Sequence, residues 1–185
     1  MSVQDGHAWF DRARFGMFIH WDHASQQGLE LSWPLVGEMF ALPWLKPVPV
    51  EQYHSSAATF DPQGWDPAAL ARTAREAGMR YLVLTAKHHS GYAMFHTKLS
   101  EFSVEHSPYG RDIVGEYVEA VRAEGLQVGL YFSLSDWHHP DYPAFTDDDR
   151  PYRFGASPPM PPPDQWNRYL DFMFGQITEL LTNYG

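Results

Sequence analysis

Twice in this chain a helical stretch runs into a glycine, two residues intervene, and a short apolar run begins. Asp66, Pro67 and the alanine-rich residues 68–77 lead to Gly78 and then to Tyr81-Leu82-Val83-Leu84. Ile113, Val114, Tyr117, Val118 and Val121 lead to Gly125 and then to Val128-Gly129-Leu130-Tyr131-Phe132-Ser133-Leu134. Asp66 is a good N-cap, Pro67 suits the first helical position, the second set of apolar residues recurs at helical spacing, and glycine is the natural left-handed stop. The apolar runs are too short for buried helices and suit strands covered on both faces. Met17 to Ile19, after Gly16, reads the same way. Strands alternating with helices predict parallel βα units joined by right-handed crossovers, an α/β fold.

The connections are unequal. Tight turns precede the second and third strands, whereas long segments follow all three, over residues 22–47, 90–110 and 135–163. That asymmetry predicts a (β/α) barrel, whose working loops leave the C-terminal ends of its strands. An open doubly wound sheet is the runner-up, but His20-Trp21-Asp22-His23 is not its glycine-rich phosphate turn. The first loop carries Glu30, Trp33, Glu38 and Trp44, and a short helix with Tyr53 and Ala57 on one face is expected between Val50 and Phe60. The third contains Asp147-Asp148-Asp149 and a proline tract from Pro158 to Pro163, expected to run extended over the surface. Asp164 is placed to cap a last helix whose face of Trp166, Tyr169, Leu170, Met173, Ile177, Leu180 and Leu181 reads as core.

A complete eight-stranded barrel takes about 250 residues. This chain has 185, and Gly185 falls where the repeat predicts two more residues and a fourth strand. The expectation is a partial (β/α)8 TIM-type barrel, its first three βα units. An open barrel edge invites pairing, so the isolated chain is expected to be poorly soluble or to self-associate, as a homo-oligomer through that edge.

Each strand end delivers polar groups: His20 after the first, Lys87-His88-His89 after the second, Asp136-Trp137-His138-His139 after the third. A buried strand that emerges on titratable side chains and turns at Gly91 is the pattern of an active-site strand. The formal charge of −10 argues against nucleic acid or an anionic membrane as partner. There is no cysteine, hence no thiolate metal site. Neither a signal-type apolar stretch nor a span of about 18 apolar residues is visible, and a cytoplasmic location is expected. His20, Asp22, His88, His89, Asp136, His138 and His139 fall near one predicted face, enough nitrogen and oxygen ligands for zinc or manganese in a metal-dependent hydrolase. No helical His-Glu-x-x-His is present, however, and imidazoles suit sugar hydroxyls equally, each neutral ring offering one donor and one acceptor. His138-His139 and the Asp147 to Asp149 run read as solvated loop.

Four blocks, in order, carry a resemblance: Arg14-Phe15-Gly16-Met17-Phe18-Ile19-His20-Trp21, Tyr81 through Gly91, Arg111-Asp112-Ile113-Val114-Gly115-Glu116, and Tyr131-Phe132-Ser133-Leu134-Ser135-Asp136-Trp137. Together they resemble the N-terminal half of the catalytic domain of the α-L-fucosidases of glycoside hydrolase family 29. The resemblance implies that residues 1–185 are the N-terminal portion of that barrel, with its remainder and any C-terminal β-sandwich outside them. It implies release of terminal L-fucose from a fucosylated sugar by a retaining mechanism: a carboxylate nucleophile, a second carboxyl group as acid and base, no cofactor and no metal. In the family both carboxylates lie further on, so no catalytic residue is assigned here, and the chain alone is expected to be inactive. A non-catalytic carbohydrate-binding remnant is the remaining alternative. By the same resemblance His20, His88 and His89 line the fucose pocket. Glu30 and Trp33 replace the family's adjacent Glu-Trp pair, and Tyr131 reaches in from the third strand, although pattern leaves open whether it or Phe132 faces inward. Asp22 stands where the family usually has Gly, and Ser90 where it has Asp.

Overall fold

The computed structural model describes residues 3–36, 46–143 and 160–185, with side chains from residue 8 onward. Glu38, Trp44, Asp147 to Asp149, Pro158 and Pro159, singled out above, lie outside them. In chain order come helix α1 (Val3–Ala13), strand β1 (Gly16–Ile19), the short helices α2 (Trp33–Val36) and α3 (Val50–Ser55), and helix α4 (Pro67–Glu76). Strand β2 (Tyr81–Lys87), helix α5 (Ile113–Ala123), strand β3 (Gln127–Phe132) and helix α6 (Pro163–Asn183) follow. The strands form one parallel sheet in the order β1-β2-β3, so the chain is α/β as expected. No described helix is long and apolar enough to cross a membrane.

The local signals act as the sequence implies. Asp66 and Asp112 each take the N–H three residues on, from Ala69 at 2.9 Å and Gly115 at 3.0 Å, and start α4 and α5. Gly78 and Gly125 sit at φ +82° and +72°, beyond the last turns of those helices, where a Cβ would be strained. The apolar stripe of α5 is buried throughout. With Ala71 and Ala74 of α4 it covers the face of the sheet that carries Leu82, Leu84 and Ala86, while Met17, Ile19, Val128, Leu130 and Phe132 pack at its margins.

The expectation of strands covered on both faces holds for that side alone. The opposite face carries Phe18, Val83 and Tyr131, none of them buried, and Phe18 is half exposed. Three strands supply too few side chains there to cover one another. The third strand also stops sooner than its apolar run, because Leu134 turns out to solvent.

The loops are more ordered than their composition suggests. The segment after β1 contains a 3-10 turn, His23–Gln27, as well as α2. The segment after β2 folds back on its own strand, where Ala93 bridges Lys87 and Ser103, and Tyr92, Met94 and Phe95 join the core. Nor are His138 and His139 merely solvated: His138 stacks on Phe102 at 3.9 Å and His139 packs on Phe172 at 4.3 Å. The proline tract enters the last helix rather than stopping short of it. Pro163 occupies the first turn, where a missing N–H is no loss, and Asp164 lies inside the helix paired to Arg168 instead of capping it. Tyr169, Met173 and Leu180 of α6 are buried, whereas Leu181 faces solvent.

Candidate functional site

The parallel register brings the three strand ends level. Ile19 pairs with Leu84, so His20 emerges beside Thr85, which pairs with Tyr131 on β3. Thr85 ties the exit of β1 in place, its hydroxyl donating to the Trp21 carbonyl at 2.7 Å and accepting the Trp21 N–H at 3.1 Å. The pairing with β3 then slips: Thr85 matches Tyr131, but Lys87 matches Phe132. Irregularities of this kind re-aim side chains at strand ends. Here Lys87 goes to the helix-covered side, above the rings of Phe132 and Phe172, while His88 lies with His20 and Tyr131.

On the open side the rings form one continuous wall. His20 meets His88 edge-on at 5.1 Å, and the His88 ring lies nearly parallel to Tyr131 at 5.6 Å. His88 and His89 are 4.4 Å apart. Trp33 stands edge-on to both, at 5.9 and 5.3 Å. Five of the six residues expected in the pocket are therefore brought together, and Tyr131 rather than Phe132 is the β3 member. The Ser133 hydroxyl, 3.0 Å from that of Tyr131, steadies it. Glu30 is not joined to this group by any contact among the described residues. It is exposed and its Oε1 accepts the N–H of Leu31 at 3.3 Å, because buried Leu31 and Ser32 separate it from Trp33.

Trp137 was not anticipated as a pocket residue. Its ring lies 5.0 Å from His89 and 6.1 Å from Trp33, extending the wall. Its backbone N–H donates to the His89 carbonyl at 2.7 Å. The position is set from behind by a buried ion pair, Lys87 Nζ to Asp136 Oδ2 at 2.8 Å, both side chains essentially inaccessible. The other carboxylate oxygen accepts the N–H groups of His138 and His139. Gly91, at φ +86°, leaves room for that carboxylate: a Cβ there would collide with Oδ1. The Asp136-Trp137 dipeptide and the Lys87 preceding the two histidines are the sequence traces of this arrangement.

Burial favours the neutral form of His88 and His89. His88 is pushed down to about 3 by desolvation, then by the neighbouring His89 and His20 charges, and His89 moves in the same direction for the same leading reason. His89 Nδ1 is buried with no hydrogen-bond partner. Most buried polar atoms have a partner, so one without marks a place where a ligand group fits. Asp22 lies behind the wall, 1 % exposed, its Oδ1 accepting the Ala24 N–H at 2.8 Å and its Oδ2 the Ser90 hydroxyl at 3.3 Å. Burial raises its pKa to about 6, against the pull of those two hydrogen bonds. The two departures from the family pattern are thus in contact, a carboxylate on the β1 exit facing a hydroxyl on the β2 exit. No three acidic or imidazole side chains among the described residues converge to hold a metal ion. Asp22 and Asp136, two of the ligands such a site would need, are engaged elsewhere.

What this arrangement offers is a partly desolvated wall of neutral donors and acceptors between aromatic faces, suited to an uncharged polyhydroxylated ligand with an apolar edge. Comparison with known proteins agrees with that chemistry. The sequence profile described as Alpha-L-fucosidase matches residues 2–185. Tissue α-L-fucosidase of Bos taurus is 38% identical over 146 residues, 73% of this chain and 31% of the relative. An α-L-fucosidase of Branchiostoma floridae is 34% identical over 146 residues, with 73% and 32% covered. The chain thus spans about a third of the length of the curated relatives it matches. Among solved structures, α-L-fucosidase isoenzyme 1 from Paenibacillus thiaminolyticus superposes with a TM-score of 0.75 at 44% identity, over 98% of this chain and 41% of that one. A family 29 α-L-fucosidase from Bacteroides thetaiotaomicron, trapped as a covalent intermediate with 2-fluoro-fucosyl fluoride, gives 0.74 at 31% identity, over 95% and 38%. With a family profile matched from residue 2 to residue 185, this chain belongs to the α-L-fucosidase family.

Proposed function

We propose that this chain supplies the sugar-holding part of an α-L-fucosidase site, built on the first three βα units of a (β/α)8 barrel whose remaining units lie outside residues 1–185. The observation that carries the reading is the wall of His20, His88, His89, Tyr131, Trp33 and Trp137 at the C-terminal ends of three parallel strands. Ligands of such barrels bind at that end. Fucose presents hydroxyls that both give and take hydrogen bonds, which neutral imidazoles match, and a methyl group that an indole face covers. The sequential strand order, with α4 and α5 on one face and the pocket residues on the other, supports a barrel in which the second face turns inward.

The reaction proposed is retaining hydrolysis, for which a relative trapped as a covalent fucosyl intermediate is support. This chain's described carboxylates near the wall are not free for either catalytic role. Asp22 bonds Ala24 and Ser90, Asp136 bonds Lys87, and Glu30 is folded onto its own loop. Nucleophile and acid/base are assigned to residues outside it, as the family resemblance implies. Phe18 and the half-covered inner face are the surface on which further barrel units pack, or on which two copies associate when those are lacking. The test is hydrolysis of an aryl α-L-fucoside. The native-length protein is expected to turn it over, and residues 1–185 alone to give none. Turnover by the 185-residue chain free of host enzyme would overturn the assignment, and absence of fucose binding by the native-length protein would overturn the reading itself.

A further inference from the structure

We propose that Ser32 is a positioning residue that fixes His88 in the tautomer carrying its proton on Nε2, so that this ring presents a donor to the sugar. The proposal rests on the fucose reading above for the ligand, but not for the tautomer. Ser32 is fully buried, and its backbone lies at φ +58°, in the left-handed region that a serine rarely adopts. Strain of this kind persists where the surroundings over-determine it. Two bonds do so here: the Ser32 N–H donates to the Tyr53 hydroxyl at 2.5 Å, and the Ser32 carbonyl accepts the Leu35 N–H at 2.9 Å, opening α2.

A serine at a helix start ordinarily turns its hydroxyl onto an N–H of the first turn. This one turns instead to the pocket. Its Oγ accepts the Ser90 N–H at 2.7 Å and lies 2.7 Å from His88 Nδ1. A hydroxyl has one hydrogen and two lone pairs. One lone pair takes the Ser90 N–H, and among the hydrogen bonds of the described residues His88 Nδ1 is the acceptor left for the hydroxyl's own hydrogen, which a fully buried group does not leave unmade. That nitrogen is then the acceptor, and Nε2 holds the ring proton. The same hydroxyl joins the loop after β1 to the turn after β2, so the tautomer and the placement of the ring have one origin.

The test uses the native-length protein labelled with 15N-histidine, whose ring nitrogens are read by long-range 1H–15N correlation at neutral pH. The expected spectrum shows His88 as a single neutral tautomer protonated at Nε2. Ser32→Gly removes the hydroxyl while accepting the left-handed backbone, and is expected to give a mixed tautomer and about tenfold weaker L-fucose binding, the loss of one hydrogen bond to a fixed donor. A merely structural serine would alter the melting temperature and leave the ring-nitrogen pattern unchanged. An Nδ1–H signal for His88 in the native protein, or an unchanged tautomer and affinity in Ser32→Gly, would sink the proposal. Failure of the native protein to bind L-fucose would sink the sugar reading instead, and the nitrogen spectrum would still decide the role of Ser32.

Discussion

Lys87 and His88 are consecutive, equally withdrawn from solvent, and opposite in what they meet. Lys87 lies on the helix-covered side of the sheet as a charge, paired to Asp136 and roofed by Phe132 and Phe172. His88 lies on the open side as a neutral ring among other rings. The one uses full charge to lock the turn that carries Trp137. The other avoids charge so that its nitrogens stay available to hydroxyls. A buried ion pair costs about as much desolvation as it returns in attraction, so it holds geometry rather than adding stability, whereas neutral rings give up little when a sugar replaces water. The slip in pairing between Thr85 and Lys87 separates the two environments.

The comparison breaks first at the ion pair. Lys87→Met removes the cation and leaves the Asp136 carboxylate buried beside Gly91 with no counter-charge. The expected cost is about 3–5 kcal/mol, read as a lower denaturant midpoint. A second change, Asp136→Leu, should recover part of it. A Lys87→Met protein as stable as the native one would mean that the pair holds nothing.

Next comes pH, where the two kinds of buried group have opposite signs. His23 and His88 are pushed to about 3 and His54 to about 4, chiefly by burial. Between those values and the ordinary 6.5 the unfolded chain binds protons that the folded one does not, so their contribution is present above pH 6.5 and is lost on acidification. Asp22 runs the other way. Raised from 3.8 to about 6, it is protonated in the fold and ionised in the unfolded chain across that window, so its contribution is present below 3.8 and is lost as pH rises through 6. Three imidazoles outweigh one carboxylate. Stability should fall from pH 6.5 to pH 4, and Asp22→Asn should steepen the fall by about 3 kcal/mol across the window. A shallower fall in that variant would reverse the assignment.

His89→Phe then tests the open side alone. It keeps a ring against Trp33 and Trp137 but removes two nitrogens, one of them unpartnered. L-Fucose affinity should drop about tenfold or more while the melting temperature stays level or rises, since deleting an unsatisfied buried polar atom is not destabilising. A loss of stability comparable with that of Lys87→Met would erase the distinction between the two sides.

How much of this was legible beforehand follows from the range of the interactions. Asp66, Asp112, Gly78 and Gly125 act within four residues, and the α5 stripe within three turns, so helices, strands and the histidines at their ends could be read in the chain. The slip between β2 and β3, the reach of Ser32 to His88 across 56 positions and the packing of Trp137 on Trp33 leave no local trace. Glu30 shows the limit of spacing arguments. Its two-residue separation from Trp33 looked tolerable, yet Leu31 and Ser32 turn inward between them and leave it outside. Asp22 and Ser90, noted as separate departures, proved to be one contact across 68 positions.

That contact gives the smallest and most discriminating prediction, because it touches both sides of the comparison. The Ser90 hydroxyl donates to Asp22 and holds the carboxyl below where burial alone would put it. The Ser90 N–H, independently, holds Ser32 and through it His88. Ser90→Ala removes the first and spares the second. The Asp22 titration should therefore move further up from about 6, by less than one unit, equivalent to about 1 kcal/mol or less, with L-fucose affinity unchanged. NMR titration of the Asp22 carboxyl and a binding isotherm read the two halves separately. Affinity that falls with Ser90→Ala would show that the buried charge behind the wall acts on the pocket, and that charge and neutrality are not partitioned between the two sides of β2.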